Sequence, residues 1–198
     1  MELVYQFPLD YSTDPSEYYW FKDAFTAEEV EKIIKDVQDL PIRQGNVVGS
    51  SDENPMYDVR KSDIRWVPRD EKYTWIYARI MELAMEANNA IWKFDLHTAP
   101  EMMQYAEYKD DGGHFDWHPD LGPGDLSVRK VSITIQLSDS SEYEGGELQL
   151  LRGRFAETAA QGKGVAVLFP SYMLHRVTPV TKGIRRSLVL WLGGGHFK

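Results

Sequence analysis

The stretch GGHFDWHPD, residues 112–120, spells His-x-Asp twice, as His114-Phe115-Asp116 and as His118-Pro119-Asp120. A histidine and a carboxylate two positions apart on a strand face the same way, so either pair could hold a metal ion. Two histidines and one carboxylate leave coordination positions open and suit non-haem Fe(II), provided that a third ligand arrives from elsewhere in the chain. The remaining histidines are His97, His175 and His196. His196 stands beside the C-terminus, where chains fray, and His97 lies in a turn before Pro100. His175 follows a strong strand and turn, VAVLFPSYML, and leads into RVTPVTKGIRRSLVLW. PVTKG reads as a strand end and turn that folds the next strand back, antiparallel, beside the one carrying His175. Arg185 then lies near the metal with Ser187 on the same face, and its guanidinium fork could grip a carboxylate in bidentate fashion.

These residues need a scaffold. Thr26-Ala-Glu-Glu29 is a capping box that opens a helix over Phe25 to Leu40, with Val30, Ile33, Ile34, Val37 and Leu40 on its buried stripe. A second helix is expected from Asp70, a candidate cap, to Ile91, burying Ile76, Ile80, Leu83, Ala84, Ala87 and Ile91. The polar, turn-rich segment between them, Pro41 to Asp63, reads as a long loop or irregular hairpin, and loops of this length are often lids. From about Phe94 the pattern changes to eight short β-type runs: KFDL, MMQYAEY, HFDWH, RKVSITIQLS, GELQLL, GVAVLFP, MLHRVTPV and RRSLVLWL. They point to a β-sandwich or small barrel with the helices packed outside. SEYYWF near the N-terminus reads as an edge strand, Asp139 to Glu144 as a solvated loop, and Gly145-Gly146 as a tight turn.

The bulk properties narrow the chemistry. A chain of 198 residues is most economically one domain, and an apolar content of 42% fits a globular protein. The net charge of −9 weighs against a nucleic-acid surface, which needs cations for the phosphates. The absence of cysteine removes disulfides, thiolate metal sites and cysteine nucleophiles. No serine sits in a nucleophile elbow, and neither a P-loop nor a dinucleotide fingerprint is present. The opening residues, MELVYQFPLDYSTD, do not read as a secretory signal, and the longest apolar runs are too short to span a bilayer. A cytoplasmic protein acting on a peptide or small molecule, away from membranes, is the expectation.

The pattern Tyr108-x-x-x-Gly112-x-x-Phe115-x-x-His118-x-Asp120, then Gly145-Gly146-Glu147-Leu148, then His175-x-Val177-x-Pro179-Val180-x-x-Gly183-x-Arg185-x-Ser187 resembles the iron(II)/2-oxoglutarate-dependent dioxygenases of the prolyl 4-hydroxylase type. The match covers roughly the C-terminal half. It implies an α+β, mainly β fold: a double-stranded β-helix, or cupin-like jelly-roll, over about residues 94–198, with a helical support and lid region over about 1–93. It also decides between the two His-x-Asp pairs. Such enzymes carry an aromatic residue three positions before the metal histidine and a tyrosine ten before it, which only His118 satisfies, with Phe115 and Tyr108. Pro119 agrees, because proline cannot donate to a ladder and marks the strand end. His114 is left as a surface or supporting residue.

The resemblance implies His118, Asp120 and His175 as iron ligands and Arg185 as partner of the distal carboxylate of 2-oxoglutarate, with Tyr108, Gln136 and Ser187 as further co-substrate contacts. Gln136 departs from the family, which often has a tyrosine there. Trp191 matches an aromatic bordering the substrate pocket, and Arg60-Lys-Ser62 resembles an Arg-x-Ser element that makes Arg60 a substrate contact. Arg186, on the opposite face, is expected to be a solvated charge. The implied reaction couples decarboxylation of 2-oxoglutarate to succinate and CO2 with hydroxylation of a substrate C–H by O2, ascorbate serving as reductant. Relatives that halogenate lack the carboxylate, so Asp120 favours hydroxylation. A peptidyl proline is the implied substrate; a free amino acid or other small molecule, and a non-catalytic cupin-like metal-binding module, are the alternatives.

Overall fold

The computed structural model describes residues 18–47, 49, 54 and 56–195. In chain order they form β1 (Tyr19–Phe21), α1 (Ala27–Val37), β2 (Arg43–Gln44), β3 (Arg60–Lys61), β4 (Asp63–Val67), α2 (Thr74–Ala90), β5 (Leu96–Thr98), β6 (Met103–Lys109) and β7 (His114–His118). After a 3-10 turn at Gly124–Val128 come β8 (Arg129–Gln136), β9 (Tyr143–Gly145), β10 (Leu148–Arg152), β11 (Phe155–Thr158), β12 (Ala166–Pro170), β13 (His175–Val177) and β14 (Val180–Gly194). Every pairing is antiparallel.

Two sheets face each other in a jelly-roll. The larger runs β1-β12-β8-β14-β6-β4-β2, with β5 and β9 also paired to β14; the smaller runs β11-β10-β13-β7-β3. The two faces of the larger sheet do different work, because side chains alternate along a strand. Met103, Tyr105, Val131, Ile133, Ile135, Leu188, Leu190 and Leu192 join the helices in the main core. The residues between them, among them Gln104, Tyr108, Thr134, Arg185 and Ser187, line a cavity facing the smaller sheet. Strands that read as continuous apolar runs are therefore split by face, one for packing and one for the cavity.

The helices close the outer face. In α1 the Thr26 hydroxyl accepts from the Glu29 N–H at 3.2 Å while the Glu29 carboxylate accepts from the Thr26 N–H at 2.9 Å, so the capping box forms as expected. Val30, Ile33 and Val37 are buried; Ile34 and Leu40 are only partly so. The second helix begins later than expected, at Thr74. Asp70 caps a preceding turn instead, its carboxylate accepting from the Lys72 N–H at 3.0 Å.

Other expectations change in the folded chain. In the described parts of the segment from Pro41 to Asp63, β2 pairs with the start of β4, while β3 crosses to the smaller sheet beside β7. Residues 48, 50–53 and 55 of this suggested lid lie outside the described residues. Asp139 to Glu144 is not wholly a loop: Tyr143 and Glu144 enter β9, and Tyr143 is buried. KFDL contributes only Leu96 to a strand. In SEYYWF, β1 is an edge strand on β12, but Trp20 is exposed. Among the described residues no helix is long and apolar enough to cross a membrane.

Candidate metal centre

His118 ends β7 and His175 begins β13, and the two are direct partners across the antiparallel pair. That register brings residues far apart in sequence to an imidazole centroid separation of 4.2 Å. Asp120 follows immediately after β7, its N–H and that of Leu121 both donating to the Ser171 carbonyl, at 2.9 and 2.8 Å. Asp120 Oδ1 lies 3.8 Å from His118 Nε2, and Oδ2 lies 3.4 Å from His175 Nε2. The three ligand atoms all fall within 4.8 Å of one another, a spacing that a metal ion can bridge.

Protonation favours the same use. His118 Nδ1 donates to the Asp116 carbonyl at 2.6 Å and His175 Nδ1 to the Met173 carbonyl at 3.0 Å. A carbonyl can only accept, so in the neutral form of each ring the proton sits on Nδ1 and the Nε2 lone pair is left for a metal. Burial, and then the neighbouring His175, push the His118 imidazole down to about 3, which keeps it neutral. Burial would raise Asp120, but His175, His118 and the Ser132 hydrogen bond outweigh it and hold the carboxylate below its usual range. Ser132 Oγ donates to Asp120 Oδ2 at 2.6 Å. Phe115 stacks on His118 with centroids 3.4 Å apart, and Phe169 packs against His175 at 4.7 Å.

Arg185 enters this cavity by a route the sequence reading did not foresee. PVTKG does not turn the chain back beside β13. Instead β14 runs from Val180 to Gly194 within the larger sheet, while β13 stays in the smaller one. Arg185 lines the same cavity as the histidines, from the opposite sheet. Its side chain is 1% exposed, with Nη2 donating to Gln136 Oε1 at 2.9 Å and Nη1 to Ser187 Oγ at 3.4 Å. Its Nε has no partner, and no described carboxylate pairs with it. The guanidinium lies 5.4 Å from the Tyr108 ring. Gly146, at φ +60°, also makes room for this side chain: an added Cβ would come within 3.1 Å of Arg185 Cδ. A buried cation without a counter-charge costs several kcal/mol, unless an anion comes to it.

The other expected site residues are distributed as follows. Tyr108, Ser187, Trp191 and Arg60 all line the cavity; Gln136 acts through Arg185. Arg60 is 6% exposed, donating to Gln104 Oε1 at 2.6 Å and Ser62 Oγ at 2.9 Å, so it belongs to a buried wall and not to a loop tip. His114 stays outside, bonded to the Gly112 and Asp58 carbonyls. His97 is exposed beside Asp95, and His196 lies outside the described residues. Arg186 faces away from the cavity but is not a free solvated charge, since its Nε donates to Glu107 at 3.1 Å.

Sequence reasoning missed Arg129, which donates to both Glu101 carboxylate oxygens at 2.8 and 2.6 Å and to the Asp120 carbonyl at 3.2 Å. Its guanidinium covers the Trp191 ring at 3.9 Å. The Trp191 indole nitrogen interacts with the Asp120 carboxylate, short of hydrogen-bond geometry, and has no other partner. Nothing local marks Arg129, because its two partners lie in separate connections, Glu101 before β6 and Asp120 after β7.

The donors present fit a ferrous ion with open positions, and the unpaired Arg185 in the same cavity fits a dicarboxylate co-substrate. Residues 103–193 match the family model described as the 2OG-Fe(II) oxygenase superfamily. A PKHD-type hydroxylase of Teredinibacter turnerae is 39% identical over 87 residues, which is 41% of this chain and 38% of the relative. The matched stretch thus spans well under half of that protein. Among solved structures, a Trichoplax adhaerens prolyl hydroxylase, in complex with a hypoxia inducible factor oxygen degradation domain peptide fragment, aligns with a TM-score of 0.72 at 17% identity, covering 89% of this chain and 83% of its own. A Pseudomonas putida prolyl-4-hydroxylase aligns with a TM-score of 0.67 at 21% identity, covering 91% and 94%. At those identities the likeness is one of fold. Motif order, architecture and the family match over residues 103–193 agree, and the β-core of this chain is similar to the 2OG-Fe(II) oxygenase superfamily.

Proposed function

We propose that the chain, residues 1–198 acting as one domain, is an Fe(II)- and 2-oxoglutarate-dependent hydroxylase of the prolyl 4-hydroxylase type, with a peptidyl proline as its substrate. The observation that carries the proposal is the buried, carboxylate-free Arg185 in the same cavity as His118, Asp120 and His175. A purely structural metal site would have no use for such a cation.

In this reading His118, Asp120 and His175 hold iron, while Arg185 binds the distal carboxylate of 2-oxoglutarate. Gln136 and Ser187 fix the guanidinium, and Tyr108 forms a wall beside it. The bound iron and co-substrate supply the oxidative chemistry, in which O2 converts 2-oxoglutarate to succinate and CO2 as a substrate C–H is hydroxylated. The protein's share is orientation and exclusion of water. The Nδ1 hydrogen bonds set both imidazole planes, Ser132 and Arg129 hold Asp120 in place, and Phe115, Leu148, Val177 and Val189 give the cavity apolar walls. Arg60 and Trp191 stand where the cavity opens outward and would meet the substrate.

Incubation with Fe(II), ascorbate and 2-oxoglutarate should release succinate above background, and calorimetry should show 2-oxoglutarate binding only when metal is present. His175→Ala and Asp120→Ala should each abolish both. Wild-type succinate release from the two variants would mean that the ligand set is wrong.

A further inference from the structure

The cavity that holds His118, Asp120 and His175 opens past Arg60 and Trp191 into a wider groove. That groove continues through Trp66 and Glu101 to a trough whose walls include Arg43 and Arg69. The charge there runs against that of the chain as a whole, which is −9. Glu101 is the one carboxylate lining the trough, and Arg129 already occupies both of its oxygens. Arg69 donates through Nη2 to the Ala99 and Glu101 carbonyls, which are neutral acceptors. Neither Arg43 nor Arg69 has an ion pair with any described carboxylate. Among the described residues the trough therefore carries two guanidinium groups with no carboxylate partner, beside the apolar Trp66 and Met102.

Register gives the distance. Gln104 of β6, which lines the metal cavity, pairs with Trp66 of β4, and Arg43 of β2 pairs with Ile64, two residues along β4 on the same face. Two strand spacings sideways and one two-residue step along give roughly 12 Å between Gln104 and Arg43. An extended chain advances about 3.3 Å per residue, so three or four residues cover the span. A free amino acid cannot.

We propose that the groove takes an extended peptide with an acidic side chain three or four residues from the residue presented to the metal centre, its carboxylate received by Arg43 and Arg69. The proposal rests on the hydroxylase reading of the same cavity and adds the charge and length of its substrate. Arg43 supplies the clean test, because it is exposed and holds no other element in place, whereas Arg69 supports the Ala99–Glu101 backbone.

Fluorescent peptides with a central proline, in pairs differing only by Asp or Asn at the third or fourth position on either side, would be titrated into the full chain loaded with Mn(II). On one side of the proline the Asp peptide should bind roughly three- to tenfold tighter than its Asn twin. Arg43→Glu should erase that preference and favour a Lys peptide instead. Equal binding of the twins, an acidic preference that survives Arg43→Glu, or no binding of any peptide would each overturn the proposal. Metal-dependent 2-oxoglutarate binding, measured on the same samples, separates the two failures: if it persists, only the peptide site is wrong, and if it is absent, the hydroxylase reading falls independently.

Discussion

Arg185 and Arg186 are adjacent on β14, and the pleat sends them to opposite faces of the larger sheet. On the outer face Arg186 and Arg65 converge on Glu107, at 3.1 and 3.2 Å, and the Tyr105 hydroxyl donates to the same carboxylate at 3.0 Å. On the inner face Arg185 is more deeply buried, yet it has only the neutral Gln136 and Ser187. The first cluster has its own carboxylate within the fold. The second has none among the described residues and, in the proposed function, receives one from the bound co-substrate. Two neighbouring residues of one type thus serve stability and, in the proposed function, ligand binding, and what separates them is the presence of a carboxylate on the paired strand.

The sharpest way to break this contrast is to remove the compensating acid. Glu107→Ala leaves two half-buried or buried guanidinium groups facing each other and should cost about 3 kcal/mol or more in urea unfolding. Burial would raise the Glu107 carboxyl, but hydrogen bonds from Arg65, Tyr105 and Arg186 hold it below its usual value of 4.5. A depressed carboxyl contributes stability above that value and loses it as pH falls through the folded pKa. The wild-type chain should therefore lose stability below pH 4.5 more steeply than the variant.

The inner arginine should behave in the opposite sense. Arg185→Gln should weaken metal-dependent 2-oxoglutarate binding by about 100-fold, while the melting temperature of the ligand-free protein stays level or rises, since an uncompensated buried charge has gone. A large loss of stability would show that Arg185 is structural like its neighbour. The smallest and most informative change turns one cluster into the other. Gln136→Glu places a carboxylate within hydrogen-bond reach of Arg185, and should raise thermal stability by about 1 kcal/mol while lowering 2-oxoglutarate affinity roughly tenfold.

Much of this site is legible one strand at a time. Spacing marks two His-x-Asp pairs, between which the family resemblance chooses His118 and Asp120, the Thr26 capping box is a local device that forms as written, and the alternation in RRSLVLWL separates Arg185 from Arg186. Such features depend on the period of a strand or the first turn of a helix, which neighbouring residues decide among themselves. The late start of α2 shows where local reasoning slips: Asp70 caps a turn, and tertiary packing sets where the helix begins.

What the amino-acid order determined by itself, then, was a short set of candidate donors, their spacing and the face each residue occupies. Tertiary structure alone decided that His118 and His175 are register partners, that Arg185 comes from the opposite sheet, that Arg129 ties Glu101 to Asp120, and that Arg43 stands at the end of a groove leading from the metal centre. The physical reason is that face follows from a two-residue repeat, whereas the choice of neighbouring strand is settled only when distant segments pair and bury their apolar sides together.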